Sequence, residues 1–114
     1  MNNLNTLQAI DKQIEQAKEL VELGKAMERL RSNREFKKVI IDGYLTTEAV
    51  RLVHLKADPG MQKPESQASI IKQMDAIGTF CEYMHVISQQ ASIAQKAVET
   101  GEADKEDFLA EGNE

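Results

Sequence analysis

Tryptophan is absent from this 114-residue chain, and its aromatic residues are three Phe and two Tyr. A core must therefore be assembled from Leu, Ile, Val, Met and Ala, the usual stock of packed helices. Only two prolines, Pro59 and Pro64, interrupt long stretches rich in Ala, Glu, Gln, Lys, Leu and Met, and most of these residues lose little on entering a helix. Strand-type alternation is hardly visible. The single cysteine, Cys81, excludes an internal disulfide, and a lone thiol suits a reducing compartment. No apolar run nears the ~18 residues of a membrane span. The start, Met1-Asn2-Asn3-Leu4, has neither the basic nor the apolar region of a secretory signal. These absences predict an all-α protein that is not secreted, stays in the cytoplasm where it is made and engages no membrane.

The net charge is −5, and it is unevenly placed. Between Gly101 and Glu114 stand six acids (Glu102, Asp104, Glu106, Asp107, Glu111 and Glu114) against one base, Lys105, which accounts for all of it. Residues 1–100 are balanced. The composition therefore predicts a single helical domain over 1–100 and an acidic C-terminal tail over 101–114, disordered by its charge and low hydrophobicity.

Four helices are expected, at about 5–31, 34–41, 47–57 and 65–99. In the first, Leu7, Ile10, Ile14, Ala17, Val21 and Gly24 follow alternating steps of three and four, a heptad-like seam. A second stripe, Leu20, Leu23, Met27 and Leu30, is displaced from it and is assigned to the chain's own core. The first seam, through Leu7, Ile10, Ile14 and Ala17, is then the candidate interface with another chain. Glu15/Lys18, Glu22/Lys25 and Glu28/Arg31 mark the solvent side as i,i+3 pairs. Ser32-Asn33-Arg34-Glu35 has the form of a capping box, and Asp42-Gly43 of a helix stop with Gly in the left-handed region. Thr46 or Thr47 would cap the third helix, and Pro64 would open the fourth. That last helix carries Ile70, Met74, Ile77, Cys81, Met84 and Ser88 on one stripe, widened by Ile71, Phe80, Tyr83 and Ile87, and its pattern closes at Thr100-Gly101. Met27, Met74 and Met84, three of five methionines, sit at core spacing. About 34 helical residues would reach roughly 50 Å, so the architecture expected is a small bundle of two long and two short helices with projecting ends.

Catalytic and cofactor signatures are missing. Cys81 and His85 stand at i,i+4, a spacing that can put two ligands on one face. Structural zinc asks for four protein ligands, and no second Cys or His pair completes the set. As nucleophile and base the pair lacks an orienting acid and a glycine-rich oxyanion loop, and His54 reads as a partly covered surface residue. Neither an enzyme nor a cofactor is expected. Arg29, Arg31, Arg34, Lys37 and Lys38 form a candidate basic patch. The neutral body, the acidic tail and the lack of adjacent aromatics weigh against nucleic acid as its ligand. In the tail, the apolar pair Phe108 and Leu109 is a candidate docking point for a protein partner.

The segment from Leu23 to Leu45, with Ser32-Asn33-Arg34-Glu35-Phe36-Lys37-Lys38-Val39-Ile40 and Asp42-Gly43-Tyr44 within it, resembles small helical proteins encoded by tailed bacteriophages. Glu48-Ala49-Val50-Arg51-Leu52-Val53 and the stretch Ile70–Tyr83, with Asp75-Ala76-Ile77-Gly78, extend the likeness. It rests on caps and core positions and brings with it no activity, ligand or binding residue. It implies a minor product encoded among phage structural genes. The expectation is a non-enzymatic structural or assembly protein, in the host cytoplasm or the virion, that meets partner subunits or itself through helices. The alternative is a phage-encoded inhibitor of a host or defence protein, with the acidic tail as decoy.

Overall fold

The computed structural model describes Asn3–Gly112, with side chains from Leu4 onward. Met1 and the tail acid Glu114 lie outside the described residues. The elements are α1 (Asn3–Ser32), α2 (Arg34–Phe36), a π-helical segment (Lys37–Glu48), α3 (Ala49–Ala57), a 3₁₀ turn (Pro59–Met61) and α4 (Pro64–Gly112). The protein is all-α, with no strand among the described residues. It divides into two compact units, Met1–Met27 with Val86–Glu114, and Glu28–His85.

The first unit is a pair of helical stretches from α1 and α4. Ile14 and Ala17 of α1 are buried with Ala94 and Val98 of α4, and Ile10 and Val21 pack against them. The stretches run antiparallel, since contacts pass from Asp11 with Lys105 (Nζ to Oδ1, 2.6 Å) to Gly24 with Ala91. Both follow the three-four spacing of a coiled coil, on α4 through Ala91, Ala94, Val98, Gly101, Lys105 and Phe108. The seam on α1 that was expected to receive another chain is thus filled by this chain's own α4. Leu7 and Ile10 are half-buried, and Ile14 and Ala17 are buried. The second stripe is turned outward, with Leu20, Leu23 and Leu30 exposed and only Met27 buried.

The expected tail is a continuation of α4 to Gly112. Average composition argues for disorder there, but the register decides otherwise. Gly101, Lys105 and Phe108 prolong the seam at steps of four and three, and each is half-buried. Lys105, the tail's one base, pairs with Asp11, and Glu102 pairs with Lys18 at 3.6 Å. Lys18 therefore serves the partner helix rather than Glu15, while Lys25 and Glu22 meet as expected at 3.5 Å.

In the second unit the segment Arg34–Ala57 folds back on the first part of α4. Leu52 and Ile70, each 1% exposed, form its centre with Ile77, and Leu45, Ala49, Leu55, Met61 and Met74 pack around them. Tyr44 sets its ring edge-on to Phe80, with centroids 6.1 Å apart at 86°, a favoured aromatic geometry. Cys81 is exposed and stands outside the inward stripe, where the half-buried Phe80 takes its place. Ile71 and Tyr83, read as widening that stripe, are exposed as well. The reversal is held by side-chain amides: Gln62 donates to the carbonyls of Lys56 and Asp58, and Gln67 to those of Lys56 and Met61. Asp58 accepts from the Gly60 N–H at 2.7 Å, an Asx turn.

Three local expectations are corrected here. The helix start after α1 is capped by Asn33, whose Oδ1 accepts from the Phe36 N–H at 2.9 Å, and Ser32 is the last residue of α1. The stop at Asp42-Gly43 does not occur. Gly43 lies within the π segment, and no described glycine has a positive φ. The hydroxyls of Thr46 and Thr47, expected as caps, instead donate to the carbonyls of Ile41 and Asp42, each at 2.9 Å and each five residues back. These bonds match the wider i→i+5 ladder. A Cβ at Gly43 would stand 3.2 Å from the Lys38 carbonyl oxygen, also five residues back, so glycine relieves crowding in the ladder rather than ending it.

Candidate interaction surfaces

Among the described residues no polar or charged side chain is buried, and no group of three or more His, Cys, Asp or Glu could hold a metal ion. His54, Cys81 and His85 are all exposed. No described helix is long and apolar enough to cross a membrane. The candidate surfaces are consequently helix faces.

The helical pair of the first unit has two unlike flanks. On one side run Asp11, Glu15, Lys18, Glu22 and Lys25 of α1 and Glu99, Glu102 and Glu106 of α4, joined by the ion pairs above. Leu109 is exposed on this side, against a shallow depression it shares with Glu99, Glu102, Lys105 and Glu106. Phe108 belongs to the seam, where the register sets it opposite Leu7. The two side chains offered as one docking point are therefore separated: Phe108 faces inward and Leu109 outward.

The opposite flank is an open groove of about 350 Å³ between the two helices, lined by Gln16, Ala17, Leu20, Gln90, Ile93, Ala94 and Ala97. Ile93 is 69% exposed. Helical spacing places Gln13 and Leu23 beside it on α1 and Thr100 on α4, and all three are exposed. None of these residues is charged, but the α4 row through Ile93, Ala97 and Thr100 continues at the same spacing to the exposed acids Asp104 and Asp107.

In the second unit, Leu52 and its neighbours face α4 while Val39, Val50 and Val53 are each more than half exposed. Val50 and Val53 stand three apart on α3, so one face of this short helix is apolar and open. The basic residues Arg29, Arg31, Arg34, Lys37 and Lys38 are exposed and flank the Asn33 cap. Arg29 and Arg31 occupy the last turn of α1, where positive charge is favoured by the helix dipole. No family model, curated protein sequence or solved structure matches this chain.

The open groove was hidden in the sequence because Leu20 and Leu23 were assigned to the core. Its signal was the lack of charge at 13, 16, 20 and 23, set against charge at 11, 15, 18, 22 and 25. Only the register with α4 makes that difference a surface.

Proposed function

We propose that this chain is a non-enzymatic bacteriophage structural or assembly protein, acting by helix-mediated contacts with partner subunits. The observation that carries this reading is the open apolar face at Val50 and Val53 of α3, on the segment that bears the resemblance to small phage proteins. Its opposite side is committed to the core through Leu52. Single exposed apolar residues are ordinary on protein surfaces, but a repeated apolar position on one short helix suits a face that a partner covers.

Mass spectrometry of purified phage particles tests this reading, with wild type compared to Val53→Glu. The chain should be found in particles, and the variant should be depleted from them while its far-UV circular dichroism is unchanged. Absence from particles, together with a defined complex with one host enzyme, would contradict the assembly role and favour the inhibitor reading.

A further inference from the structure

We infer that this chain associates with copies of itself head to tail, the acidic end of α4 in one copy lying against the basic start of α2 in the next. Two rows of charge carry the inference. On α4, Asp104, Asp107 and Glu111 follow steps of three and four along one exposed face. After α1, Lys37 and Lys38 stand three and four residues beyond Arg34, and the backbone stays helical from α2 into the π segment, so these three exposed bases also fall on one side of a helix. The two rows thus repeat opposite charges at the same intervals, and two helix faces laid together can match them at several points. Among the described residues, none of the six takes part in an ion pair. Glu102 and Lys105, beside the acidic row, are by contrast both committed to α1.

Placement on the helices supports it independently. Arg34 is the first residue of α2, where the helix dipole disfavours a cation, and Glu111 lies in the last turn of α4, where it disfavours an anion. Arg29 and Arg31, at the end of α1, are placed the favourable way. Local helix stability therefore accounts for neither row, and a facing row of opposite sign offsets both. Each copy carries a net charge of −5, but at physiological salt the Debye length is about 8 Å, so facing rows outweigh distant charges at contact. A nucleic acid is a poorer occupant of the basic row, because three cations release few counterions and the acidic chain repels a polyanion. The contact joins unlike patches, so copies add in sequence and either close into a ring or extend as a filament, according to the rotation between them. It uses exposed charges alone and does not depend on entry into phage particles.

Sedimentation of the full chain over a concentration series tests it, at low salt and at about 1 M, where the Debye length falls to about 3 Å. Wild type should grow beyond the 12.8 kDa chain mass at low salt and return to it at high salt. Two variants neutralise one row each: Asp104→Asn with Asp107→Asn and Glu111→Gln, and Arg34→Gln with Lys37→Gln and Lys38→Gln. Each alone should stay at the chain mass, with helicity no lower than wild type. Mixed in equal amounts they keep one intact row apiece, so they should form a 1:1 pair at twice the chain mass and stop there. A wild-type chain that stays at the chain mass at every concentration in low salt, assemblies that persist unchanged at high salt, a neutralised variant that assembles like wild type, or a mixture that does not pair would overturn the assignment. So would a monomeric wild type that binds heparin through Arg34, Lys37 and Lys38, which would give the basic row to a polyanion instead.

Discussion

A Cβ placed on Gly24 of α1 would stand 2.2 Å from the Cβ of Ala91 on α4, so the helical pair closes at a point that only glycine fits. Gly24→Ala should gain up to about 1 kcal/mol in helix propensity yet lose about 1–3 kcal/mol to overpacking, a net loss. Gly78→Ala is the control. No atom lies within 4 Å of a Cβ built there, so the propensity term acts alone and should stabilise by about 0.8–1 kcal/mol. Urea denaturation of both variants checks the opposite signs.

At the junction of α1 and α2, Asn33→Ala should cost about 1 kcal/mol, because the Phe36 N–H loses its acceptor. Ser32→Ala should be close to neutral, since Ser32 ends α1 and makes no cap bond. The same melts measured on this pair separate the observed cap from the capping box suggested by Ser32 and Glu35.

Helix content, the spacing of the seam on α1 and the Pro64 start were legible because each depends on local rules: apolar spacing and proline geometry. Three features were not. The cap moved by one residue because Ser32 and Asn33 are both good caps, and only the exact end of α1 chooses between them. The π segment escaped notice because Asp42-Gly43 is a strong stop signal, and its override lies in hydroxyl bonds from Thr46 and Thr47 to carbonyls five residues back. The fate of residues 101–112 depended on Gly101, Lys105 and Phe108 finding α1, a long-range register that composition does not encode.

That register makes a prediction about truncation. A chain ending at Thr100 removes the groups facing Asp11 and Ile14 of α1, so hydrogen exchange in residues 4–14 should accelerate strongly. Protection around Leu52 and Ile70, in the other unit, should be unchanged. Unaltered exchange in α1 would show that residues 101–112 act only as a solubilising appendage. The Asp11–Lys105 pair itself is partly exposed and should contribute no more than about 1 kcal/mol, so Lys105→Ala should reproduce little of the effect.

The central structural claim is that α1 packs on the end of α4 within one chain. It is tested most directly by cross-linking Ile14→Cys to Gly101→Cys in a Cys81→Ser background. A Cβ at position 101 stands 2.7 Å from Cγ1 of Ile14, which brings the two Cβ atoms within the span a disulfide bridges. After oxidation, non-reducing denaturing electrophoresis should show a species of single-chain mass with raised mobility that reverts on reduction. Disulfides formed only between chains, or no bridge at all in a folded protein, would contradict the antiparallel packing from which both flanks are derived.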